Sequence, residues 1–151
     1  MHHPLEGLAR MCEWVGKDYA YNLDFIPEDR FAWKPAPTAK SALEFTDEAI
    51  RFARAVTRYF RGEGFAWDDA PPAATREEAK AALIAAANAY AEQLRQIPPE
   101  RLSGTVEWPF GTFPCSMAAS LPVIELIHHR GQAVYLQSLL GDAEMHFAPM
   151  E

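Results

Sequence analysis

Residues 121–140, LPVIELIHHRGQAVYLQSLL, constrain the fold more than any other stretch of the chain. Drawn as a helix at about 100° per residue, the segment places Leu, Val, Ile, Ala and Tyr around nearly its whole circumference. A helix that is apolar almost all round belongs in a core or a large interface, so the rest of the chain must supply the surfaces that cover it. Four polar side chains interrupt it: Glu125, His128, His129 and Gln132. Glu125 and His129 fall one turn apart on one face, with His128 and Gln132 on the near edge of that face. Polar groups in such a position need partners, because an unpaired buried charge costs several kcal/mol or changes its protonation. This polar stripe is the candidate site.

Three further helical segments precede it. The first runs from Pro4, which suits an opening turn, to about Phe25, with Leu8, Met11, Cys12, Val15, Tyr19 and Leu23 recurring at three-to-four spacing. A loop broken by Pro27, Pro35 and Pro37 follows, and its Phe31 and Trp33 are expected to pack over an end of the core. Ser41 and Glu44 form a capping-box pattern that opens the second helix. Its apolar stripe is Phe45, Ala49, Phe52, Val56 and Tyr59, with Asp47, Arg51, Arg54 and Arg58 outside. Glu48 lies on the shoulder of that stripe and is the one acid of this helix aimed toward the core. The run Arg61-Gly62-Glu63-Gly64 stops the helix. Thr75 and Glu78 form a second capping box, opening an alanine-rich helix whose inner face is Ala82, Ala85/Ala86, Ala89/Tyr90 and Leu94, ending before Pro98. Residues 103–115 read as a loop with a short extended pair near Thr105–Trp108. Ser116 or Ser120 caps the last helix. Pro122 fits a first turn best, which makes Ser120 the preferred start, with a longer kinked helix as the alternative. Gly141 ends it. Four helices joined by long prolyl loops read as an all-α four-helix bundle in a single domain, residues 1–151.

Composition narrows the function classes. Apolar residues make up 49% of the chain and charged residues 23%, an ordinary globular balance. A net charge of −7 argues against a nucleic-acid partner, whose phosphates demand clustered Lys and Arg. No stretch is long and apolar enough to suggest a membrane span. Cys12 and Cys115 make no CxxC pair or disulfide framework, which together with an N-terminus that does not read as a signal peptide points to the cytoplasm. His2 and His3, directly after Met1, read as a tag remnant or chance and not as a ligand pair. Neither cysteine has a neighbouring histidine, the serines lack a GxSxG setting, and there is no glycine-rich phosphate loop.

Metal sites in bundles are built from inward side chains on facing helices. Glu125 and His129 supply two ligands at i and i+4, Glu48 a third from a neighbour, leaving positions open for water or substrate. The same residues are equally readable as an acid–histidine ion pair in a core, and spacing alone leaves both readings open.

The string His128-His129-Arg130-Gly131-Gln132 near the end of four helices resembles the DinB/YfiT-like superfamily, as do WPFG at 108–111 and FAWKPAP ahead of Ser41 and Glu44. The resemblance spans nearly the whole chain. It implies a DinB-like bundle of up-down-down-up type, a homodimer, and a metal held by three histidines, one from the second helix and two from an HxxxH on the last. Residue by residue, His129 matches the second histidine of HxxxH, while the first falls on Glu125 and the second-helix histidine on Glu48. Both departures are to glutamate, which still binds metals. Two carboxylates and one imidazole shift the preference among divalent ions from zinc or nickel toward manganese, iron or magnesium. The resemblance thus implies a metal-dependent enzyme, a hydrolase or thiol-type transferase on a small molecule, with His128 and Gln132 orienting a ligand. A hard Glu/Glu/His set suits a soft thiolate poorly, which disfavours the thiol chemistry. The alternative is a metal-free small-molecule-binding or dimeric scaffold protein that has lost the ligands, with Glu48 and Glu125 bonded to His128, His129 or Arg130.

Overall fold

The computed structural model describes residues 2–150. Its helices are α1 (Glu6–Leu23), α2 (Ala42–Phe60), α3 (Arg76–Gln96) and α4 (Cys115–Leu139). A hairpin of β1 (Thr105–Trp108) and β2 (Gly111–Pro114) precedes α4, with Trp108 opposite Gly111. Each helix packs against two others, in the order α1, α3, α2, α4 around the bundle.

Directions follow from the contacts. Arg95 at the end of α3 pairs with Glu6 and Glu13 at the start of α1, and Lys80 at its start pairs with Asp24, so these two helices are antiparallel. Tyr90 of α3 meets Ala119 of α4, and Gln137 late in α4 meets Asn22 late in α1. Phe45 early in α2 stacks on His129 late in α4. Together these give the up-down-down-up bundle that the sequence implies.

The helix ends obey local chemistry. Ser41 and Glu44 exchange both hydrogen bonds of the capping box, 3.2 Å from the Glu44 N–H to Ser41 Oγ and 2.7 Å from the Ser41 N–H to Glu44 Oε2. Thr75 caps α3, but Glu78 accepts from Ala74 and not from Thr75, so that box is half closed. Beyond α4, Gly141 takes φ +95°, and the Asp142 N–H turns back to the Gln137 carbonyl at 3.0 Å.

Three readings of the sequence are corrected. The last helix starts at Cys115, not at Ser120, and carries Pro122 in its interior. Proline there removes the N–H that would reach the Ala118 carbonyl; in the same turn the Tyr90 hydroxyl donates to the Ala119 carbonyl at 2.6 Å from inside the core. The inner face of α3 is Leu83, Ala86, Ala87, Tyr90 and Leu94, while Ala85 and Ala89 are exposed. An alanine-rich helix is apolar on too many sides for periodicity alone to choose the buried one. His3 is not loose: its Nδ1 accepts from the Leu5 N–H at 3.1 Å, so its Nε2–H donates to the Ile97 carbonyl at 2.8 Å.

The core fills the space between the four helices with Tyr19, Leu23, Leu83, Tyr90, Leu94, Leu126 and their neighbours, and Phe31 and Trp33 pack against it. Residues 142–149 are tied down. Asp18, fully buried on α1, pairs with Arg130 and accepts from the Ala148 N–H at 2.6 Å. His146 lies flat on Phe25, ring centroids 3.5 Å apart. Among the described residues no helix is long and apolar enough to cross a membrane.

Candidate functional site

Glu48 on α2 and Glu125 and His129 on α4 come together where the two helices face each other. His129 is the fixed point. Its ring is 3% exposed and lies parallel to Phe45, with centroids 6.0 Å apart. Its Nδ1–H donates to Gln132 Oε1 at 2.6 Å, three residues along the same helix face. That bond leaves Nε2 to face α2 and the preceding turn of α4. Nε2 sits 3.1 Å from Glu125 Oε2 and 3.7 Å from Glu48 Oε2, yet it is buried and makes no hydrogen bond. A nitrogen lone pair facing two carboxylates is electrostatically unfavourable unless a proton or a cation lies between them.

The two carboxylates differ. Glu48 Oε1 is paired with the Lys40 ammonium, which reaches in from the prolyl loop before α2. Glu125 has no lysine or arginine partner among the described residues, and His129 is its ion-pair neighbour. Arg130 pairs with Asp18 on α1 and not with either glutamate. His128 is exposed at the rim, its ring edge-on to His129 at 4.8 Å. Glu48, Glu125, His129 and Gln132 are thus brought into one cluster, with His128 at its edge. Among the described residues, no group of three His, Cys, Asp or Glu is arranged to hold a metal ion as it stands.

Open space lies on both sides of the cluster. A cavity of about 660 Å³ is lined by Lys40, Phe45, Glu48, His128, His129 and Gln132, among others. A second, of about 570 Å³, is lined by Glu48, Arg51, Phe52, Trp67, Phe110, Leu121 and Glu125. Glu48 borders both. The cysteines take no part: Cys12 donates to the Ala87 carbonyl, and burial pushes its thiol up to about 12. Cys115 is buried and shifted the same way, so neither offers a thiolate.

Sequence reasoning missed Lys40, Trp67 and Phe110. All three sit on connections, where no periodicity reports which way a side chain points. The one available signal for Lys40 was its closeness in sequence to Glu48.

A four-helix bundle of this topology, with a polar cluster sunk between the second and last helices, defines the class. A model of the DinB superfamily matches residues 12–133, and the chain belongs to that superfamily. It is similar to a crystal structure of a DinB-like protein from Bacillus subtilis, at 16% identity and a TM-score of 0.68 over 93% of this chain and 96% of that one. It is also similar to a DinB-like protein from Bacillus cereus, at 19% identity and a TM-score of 0.71 over 93% of this chain and 95% of that one. No curated protein matches the chain.

Proposed function

We propose that this protein is a metal-dependent enzyme acting on a small molecule, a hydrolase or transferase, with a divalent ion held by Glu48, Glu125 and His129. One observation carries the reading: the buried, unbonded Nε2 of His129 facing two carboxylate oxygens. Cis ligand atoms around an ion at about 2.1 Å are about 3.0 Å apart in octahedral geometry and about 3.4 Å in tetrahedral. The observed 3.1 Å separation matches such an edge and the 3.7 Å one exceeds it, so Glu48 would have to move inward, away from Lys40, to join the other two donors on an ion. Two carboxylates and one imidazole favour manganese or iron over zinc or nickel.

A divalent ion there supplies Lewis acidity next to two open cavities. The chain's own residues do the rest. Gln132 fixes the His129 tautomer so that Nε2 is the ligating atom. Phe45 sets the plane of the ring. Lys40, its ammonium paired with Glu48, and His128 both line the larger cavity and offer polar contacts there.

A second reading is favoured by the Lys40–Glu48 pair, which occupies one oxygen of a would-be ligand. On this reading the protein binds a small molecule without metal, or serves as a dimeric scaffold. Met117, Ile124, Ile127, Tyr135 and Leu139 are exposed on α4 and would form the homodimer face. Elemental analysis of untagged protein never exposed to a nickel column separates the two. One equivalent of manganese or iron, lost in both Glu125→Ala and His129→Ala, supports the enzyme. No metal, and no rise in melting temperature on adding any divalent ion, overturns it in favour of the second reading.

A further inference from the structure

The smaller cavity has a chemistry of its own. Phe52 comes from α2, Trp67 from the connection to α3, Phe110 from the hairpin turn and Leu121 from α4. Trp67 and Phe110 are 54% and 51% exposed although both belong to a packed aromatic cluster. Trp67 meets Phe65 at 5.2 Å and Phe52 at 5.9 Å, and Phe110 meets Phe65 at 5.5 Å and Trp108 at 5.6 Å. Two large rings are thus held in place while presenting apolar surface to open space.

The charge is one-sided. Arg51 borders the cavity but is used up, bonded to Asp47 at 2.5 Å, to the Ala70 carbonyl at 2.5 Å and to the Asp68 carbonyl. Glu48 shares its charge with Lys40, and Glu125 has no lysine or arginine partner among the described residues, with His129 as its ion-pair neighbour. Aromatic faces add negative electrostatic potential. His129 lies behind the carboxylates, its buried Nε2 3.1 Å from Glu125 Oε2, and is not part of the cavity wall. An anion is repelled here, and a neutral apolar molecule leaves the carboxylates unanswered. An ammonium carries three donors and no acceptor, which matches the carboxylate oxygens of Glu125 and Glu48 on the cavity wall.

We propose that this cavity binds a hydrophobic organic cation, a primary ammonium on an aromatic or branched apolar arm, with Glu125 as its counter-ion and the arm between Trp67 and Phe110. This goes beyond the metal reading and does not rest on it. Metal and ammonium draw on the same carboxylates, so the test uses chelator-treated protein and its result stands whether or not the cluster loads an ion.

Such protein is titrated at pH 7.5 with 2-phenylethylammonium, 2-phenylethanol and phenylacetate, three probes of similar shape and different charge, followed by tryptophan fluorescence and amide chemical shifts. The expected result is binding of the ammonium at least tenfold tighter than the alcohol, with phenylacetate weakest. Trp67→Ala and Glu125→Gln each weaken the ammonium about tenfold, whereas Tyr135→Ala, in the other cavity, leaves it unchanged. Phe110→Ala serves in place of either variant whose melting curve shows it unfolded. Equal affinity for ammonium and alcohol, no saturable binding, or a loss confined to Tyr135→Ala overturns the proposal.

Discussion

Replacing Gly16 by alanine tests how closely the first and third helices approach. A Cβ built on Gly16 falls 2.4 Å from the Ala87 Cβ. Carbon atoms rest at about 3.5–4.0 Å, so the helices must separate by more than about 1 Å, or one must turn. Overpacking of this kind costs about 1–3 kcal/mol. Alanine recovers about 1 kcal/mol of helix propensity relative to glycine. The net expectation is a loss of up to about 2 kcal/mol, equivalent to a fall in Tm of up to roughly 8 °C for a domain this size. Ala87→Gly removes the obstructing methyl, so the double variant should be more stable than the two single effects predict by at least about 1 kcal/mol. Urea unfolding followed by circular dichroism gives all four corners of the cycle. Strict additivity in the double variant would refute the claim that the two helices touch at this point. The contact matters for the site because Asp18, one half-turn along α1, holds Arg130, the neighbour of His129.

Three other perturbations probe the site and its supports. Gln132→Leu strands the buried Nδ1–H of His129, which should lower stability by about 1–3 kcal/mol and weaken any divalent-ion affinity roughly 10–100-fold; unchanged urea and metal titrations would show that Gln132 does not hold the ring. Asp18→Ala removes a fully buried partner of Arg130 and of the Ala148 N–H. It should cost about 3 kcal/mol and open residues 142–149 to limited proteolysis, and a tail as resistant as the wild type counts against the anchor. Glu6, hydrogen-bonded by Arg95 and Arg10, has its carboxyl lowered from 4.5 to about 2. A depressed acid contributes stability in full above pH 4.5 and loses it as pH falls toward 2. Arg95→Met should therefore flatten the acid limb of the urea midpoint between those values, and an unaltered limb would place the acid sensitivity elsewhere.

How far the site could be read in advance depended on which element each residue occupies. Glu48, Glu125, His129 and Gln132 lie on helices, where spacing of three and four residues fixes which side chains share a face. The Glu48 carboxylate stands 3.7 Å from the ring that its shoulder position pointed toward. Lys40, Trp67 and Phe110 lie on connections whose course depends on distant packing, so no local pattern announced them. Pro122 misled because proline most often marks a first turn; α4 instead runs through it, and the turn before it is tied to α3 by the Tyr90 hydroxyl, far away in sequence.

The sequence by itself determined the number of helices, most of their ends and the polar stripe on the last one, because these follow from periodicity, capping side chains and glycine at positive φ, all local effects. Only the tertiary structure decided which face of the alanine-rich α3 is buried, since nearly every face is apolar and the choice falls to the fit of Gly16 against Ala87. It also decided the partners of the charges: Arg130 with Asp18, Lys40 with Glu48, and Glu125 with His129 but no lysine or arginine among the described residues. Ion pairing depends on distance between helices, and distance is set by how the core packs.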